Sequence, residues 1–229
     1  EALSARLEAA APDVTPAAAG KLLREAASEW HAIGPVPRAH DARVEKRYHA
    51  AVAAVQHHAD VARRAAGLAL AGAVRDKLRL IQALEAAVVN PDAHTTPSDW
   101  HGRWGAMLTL DGGYEAVLRA RFDAALGVLG VDGTVARAAY AQQLEANRER
   151  LLHELLRLEI TAGIDSGAEF ARERLKLQVE VLQSSLKSGH KPGAQASGLR
   201  ELLALPALAD ARTETRIEQL LTRHAKDGR

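Results

Sequence analysis

Residues Trp30–Val52 read WHAIGPVPRAHDARVEKRYHAAV, and sliding the chain by 74 positions lays them without a gap on Trp104–Leu126, WGAMLTLDGGYEAVLRARFDAAL. Ala32 then meets Ala106, Ile33 meets Met107, Val36 meets Leu110 and Val44 meets Leu118. Arg47, Tyr48, Ala50 and Ala51 meet Arg121, Phe122, Ala124 and Ala125. Self-similarity at a fixed period marks repeat architecture, in which one unit cannot bury its apolar face alone. The match continues upstream with small gaps, LEAAAPDVTP (Leu7–Pro16) beside LEAAVVNPDAHTTP (Leu84–Pro97). In both, Pro-Asp stops a helix and Thr-Pro starts the next. Thr15 or Thr96 is the N-cap and Pro16 or Pro97 takes the first helical position, where its missing N–H would have had no partner anyway. Trp30 follows Pro16 by 14 residues and Trp104 follows Pro97 by 7, so the second restart helix has lost two turns. Each unit reads as helix, break, helix ending near Trp, elbow, then a helix carrying Arg-aromatic-x-Ala-Ala.

The elbow follows from proline chemistry. Pro35 and Pro37 have no N–H and push Gly34 and Val36 toward extended backbone, so a helix ending near Trp30 to Ile33 cannot continue. Trp30, Ile33, Val36 and Tyr48 are placed to pack across the corner, with Trp104 and Phe122 as their counterparts, the aromatic rings supplying burial that alanine cannot. From Val44 the apolar positions Tyr48, Ala51, Val55, Ala59 and Ala62 keep one helical face, and a second series, Val74, Leu78, Ile81, Leu84 and Val88, follows Gly67 and Gly72. No proline lies between Pro37 and Pro91. This predicts either one helix of about 50 residues, near 75 Å at about 1.5 Å per residue, or two helices with a bend at a glycine, which costs up to about 1 kcal/mol relative to alanine.

With Ile-Gly-Pro-Val-Pro a few residues past Trp30 and the basic-aromatic pair Arg47-Tyr48 on the next helix, EWHAIGPVPRAHDARVEKRYHAAV resembles the core motif of the bacterial helical repeats catalogued as domain of unknown function 349. Residues 1–130 would hold two copies, the second with LTLDGG where the first has its Gly-Pro-x-Pro core. The stretch LLRLEITAGIDSGAEFARERLKLQVEVLQSSL is similar to the region that follows the last repeat in long members. The resemblance implies a helical, repeat-built, bacterial, cytosolic protein, and no established activity.

Composition agrees with an all-α chain. Apolar residues make up 47% of the 229 positions but aromatics only 3%, so Ala, Leu and Val carry the core. Thirty basic side chains against 29 acidic ones leave a net charge of +1, and no global field draws the chain to nucleic acid or an anionic membrane. The chain has no cysteine, which excludes disulfide and thiolate chemistry and fits a reducing, cytoplasmic setting. No apolar run reaches the roughly 20 residues that cross a bilayer, and EALSARLEAAAPD has no signal-peptide pattern. With no initiator Met, the chain is expected to be a piece of a longer one.

Signals for chemistry are sparse. Arg38, Arg43, Lys46, Arg47 and Arg121 could present a basic, partly aromatic face to phosphates, but Asp41 and Glu45 on the same helix neutralise part of it. The ten histidines, among them His57, His58, His94 and His101, never form His-Glu-x-x-His. Acid pairs such as Glu154 with Glu159 and Asp165 with Glu169 follow no catalytic motif. The glycines Gly163 and Gly167 and the tract SGHKPGAQASG have no phosphate-loop spacing.

Beyond Gly130 a helix over 134–162 carries the stripe Leu144, Leu151, Leu155 and Leu158. A second helix over 166–187 offers Leu175, Val179, Leu182 and Leu186. The two are expected to pair as an antiparallel hairpin turning at TAGIDSG, capped by Asp165 or Ser166. Residues 188–198 read as a flexible linker. The tail, two short helices parted at Pro206, holds Leu202, Leu205, Ile217, Leu220 and Leu221 for docking on the body or on another protein.

The expected architecture is elongated all-α: helical repeats at 1–66 and 67–130, a hairpin at 131–188, and a linker with a short helical tail at 189–229. The expected function is a non-enzymatic scaffold or adaptor for another macromolecule, a protein first and RNA or the ribosome second. No cofactor, metal, membrane or small-molecule substrate is expected.

Overall fold

The computed structural model describes residues 1–34, 41–90, 96–110, 113–130, 133–188 and 194–226. The described chain is all-α: α1 (Ala2–Ala10), α2 (Pro16–Ile33), α3 (Asp41–Val89), α4 (Pro97–Gly105), α5 (Gly113–Leu129), α6 (Thr134–Ala146), α7 (Arg148–Ala162), α8 (Ala171–Ser188), α9 (Ala194–Ala204) and α10 (Ala211–Lys226). Single 3₁₀ turns stand at Ala11–Asp13 and Ala168–Phe170. The 49 residues of α3 run unbroken through Gly67 and Gly72. Alanine and leucine on either side are strong helix formers, and two glycines do not outweigh that run.

Two compact units divide the chain, Glu1–Gly67 and the residues from Leu68 onward. In the first, α1, α2 and the beginning of α3 enclose Leu3, Leu7, Ala11, Ala19, Ala26, Tyr48, Ala51, Val55 and Ala59. Five of these nine core residues are alanines. The hydroxyl of Thr15 accepts from the Ala18 amide at 3.2 Å and caps α2. Arg6 pairs with Glu29 at 2.7 Å, joining α1 to α2. Gly34, with φ 72°, ends α2 in a conformation that a side chain would strain.

In the second unit the remainder of α3, with α4 and α5, builds a core on Val74, Leu78, Ile81, Leu84, Val88, Trp104, Leu118 and Phe122. Thr96 and Asp99 form a reciprocal capping box at the start of α4, which pulls the Asp99 carboxyl below its usual range through the Thr96 amide. α4 has nine residues and α2 eighteen, both starting at a Thr-Pro cap. The segments that the sequence separates as 67–130, 131–188 and 189–229 share this one core, to which Leu144, Leu151, Leu155, Leu199, Leu203, Ile217 and Leu220 all belong.

Three expectations change. The helix expected over 134–162 is two helices meeting at Asn147, whose N–H is shared between the Gln143 and Glu145 carbonyls while its side chain donates to the Pro206 carbonyl at 2.9 Å. The tightened turn thereby ties the body to the tail. Second, residues 194–198 of the expected linker are the first turns of α9. A Cβ at Gly198 would lie 2.9 Å from Leu158, so this glycine lets α9 approach α7 rather than loosening the chain. Third, the Leu stripe of α7 is covered by α9 and α10, not by the matching stripe of α8. Helix α8 does lie along α7, but through Leu177, with Arg174, Gln178 and Val181 half-buried beside it. Its phase is set where it begins. Arg174 donates to the Ile164 carbonyl at 2.7 Å and to the Ser166 hydroxyl at 2.9 Å, and the Asp165 side chain accepts from the Gly167 amide instead of capping a helix.

Candidate interaction surfaces

The positions that the 74-residue offset and its gapped upstream extension equate make matching contacts. Trp30 stacks on Tyr48 with ring centres 4.0 Å apart, and Trp104 lies 4.5 Å from Phe122. Leu7 and Leu84 are both fully buried. The residues following them, Glu8 and Glu85, receive the two equivalent arginines in the same bidentate way. Arg47 donates through Nε and Nη2 to Glu8 at 2.8 and 2.7 Å, and Arg121 through the same atoms to Glu85 at 2.7 Å each. Neither glutamate was marked by any catalytic motif. The signal that could have found them is their place in the aligned Leu-Glu-Ala-Ala stretches.

The two pairs live in opposite surroundings. The side chains of Arg47 and Glu8 are 45% and 44% exposed, those of Arg121 and Glu85 3% and 0%. Arg121 also donates to the carbonyls of Leu203 and Ala207, both at 3.0 Å, at the end of α9 and in the loop after it. The Tyr140 hydroxyl reaches Glu85 at 3.3 Å, and burial together with the Glu85 charge raises its pKa. Gln82 completes the anchorage, donating to the Ala207 carbonyl at 2.9 Å and accepting from the Ala209 amide at 3.0 Å. Arg121 therefore does not belong to an exposed basic face: the tail covers it.

The other basic candidates lie in the first unit. Arg43 is exposed and pairs with Glu1 at 3.3 Å. Lys46 is exposed. Arg47 and Glu8 shift each other apart in pKa through their hydrogen bond, the arginine upward and the glutamate downward. Arg38, Pro35, Val36 and Pro37 fall outside the described residues. Of the elbow residues that are described, Tyr48 is buried and Trp30 only half-buried, while Ile33 is 56% exposed and does not pack across the corner. Trp104 and Phe122 are buried.

Two further ion pairs escaped the sequence. Lys77, fully buried, sits over the Trp104 ring at 4.1 Å and donates to Glu115 at 2.7 and 2.9 Å. Burial works against the charged Glu115 carboxylate, but Lys77 and the Leu110 amide outweigh it and hold its pKa below the usual value. Arg216 grips Glu159 at 2.7 and 2.8 Å and lies 4.2 Å over Phe170. Beside Arg121, a concavity of about 490 Å³ is lined by Ala116, Val117, Ala120, Tyr140 and Pro206. Its charged group is already committed to Glu85 and the tail carbonyls.

Among the described residues no three His, Asp or Glu side chains gather as metal ligands, and no helix is long and apolar enough to cross a membrane. The outer face of α8 departs from a polar surface with helical spacing over two turns. Leu175, Val179 and Leu182 are 69%, 54% and 62% exposed. Comparison with protein-family models, curated proteins and solved structures finds no match.

Proposed function

We propose that this chain is a non-enzymatic helical scaffold or adaptor that binds another protein. The observation that carries the reading is the outward face of α8. Leu175 and Val179 stand on the side opposite Leu177, which packs on α7, so the helix offers a second apolar face in addition to the one the fold uses. Leu182 continues the spacing of four and three residues that suits a helix-in-groove or coiled-coil partner. The rival reading, an RNA- or ribosome-associated module, relied on two equivalent arginines on an exposed face. One is buried, and the other pairs with Glu8. The matched ion pairs and aromatic contacts support two copies of one repeat, and with them the resemblance to domain of unknown function 349; the lack of cysteine fits a cytoplasmic setting.

The test is affinity capture with the chain and with a Leu175→Glu/Val179→Glu variant, each with and without nuclease. A protein retained through nuclease treatment by the parent and lost by a variant of unchanged melting temperature supports the reading. Capture abolished by nuclease and indifferent to the variant would favour RNA.

A further inference from the structure

We draw no further inference here: the strongest candidate, the open concavity of about 490 Å³ beside Arg121 that α5, α6 and the end of α9 line with Ala116, Ala120, Ala124, Tyr140 and Ala204, is an apolar groove, and nothing in the structure shows what covers it.

Discussion

Replacing Arg121 by Met removes one partner from a pair that has no water to fall back on. The Glu85 side chain is 0% exposed, and after the substitution its carboxylate would keep only the 3.3 Å contact with Tyr140. Breaking a buried pair on one side costs about 3–5 kcal/mol. The Leu203 carbonyl also loses its donor, about 1 kcal/mol or more, whereas the Ala207 carbonyl retains Gln82. A total of about 4–6 kcal/mol follows, at roughly 2–4 °C of melting temperature per kcal/mol for a chain of this size. Urea unfolding by circular dichroism reads the loss, and amide exchange should show α9 losing protection first, because the tail carbonyls are what Arg121 holds. Met at both Arg121 and Glu85 should recover most of the stability, since an apolar pair of similar volume carries no desolvation penalty. Arg47→Met, the same change at the equivalent exposed pair, should leave the melting temperature where it was. If Arg121→Met proves as mild as Arg47→Met, or if the double substitution is no better than the single one, the pair is not the buried anchor of the tail.

Trp104→Ala should destabilise by about 3–5 kcal/mol, the range for emptying a large buried site, and Trp30→Ala by clearly less, because Trp30 is only half-buried against Tyr48; thermal melts of the two variants compare them directly. Ending the chain at residue 188 uncovers Leu118, Leu151, Leu155 and Leu158, so the melting temperature should fall and an apolar dye should bind. Glu115 and Asp210, the second through the Thr213 amide, both have lowered pKa values, so the stability they contribute is present above their ordinary values of 4.5 and 3.8 and is lost as pH falls through their lower folded values. The urea midpoint should accordingly hold steady from neutrality to about pH 5 and drop below it, and Glu115→Gln should flatten part of that drop.

What was legible in the sequence is what local chemistry controls. Thr15 and Thr96 announce their helices because an N-cap acts within three residues, and Pro16 and Pro97 confirm them by fixing φ. The Trp-to-Trp offset equates Arg47 with Arg121 but not their glutamate partners, which lie in the gapped stretch upstream, and the apolar series of α3 lies on the face that is buried. Gly67 and Gly72 left the continuity of α3 open, since a cost of about 1 kcal/mol each can be met or not by the flanking helix. Tertiary structure alone decided the rest. Arg47 and Arg121 have the same local letters around them, but residues some 80 positions further on cover one pair, and nothing among the described residues covers the other. Periodicity put Leu175 on the inner face of α8, and the fold buries Leu177 instead, with the anchorage of Arg174 on the Ile164 carbonyl setting the phase. Gly198 reads as linker in isolation and becomes a packing residue only because Leu158 is there to meet it. Burial is a property of what arrives from elsewhere in the chain, and that is why the exposure of Leu175 and Val179, and the contrast between Arg47 and Arg121, were decided only by the fold.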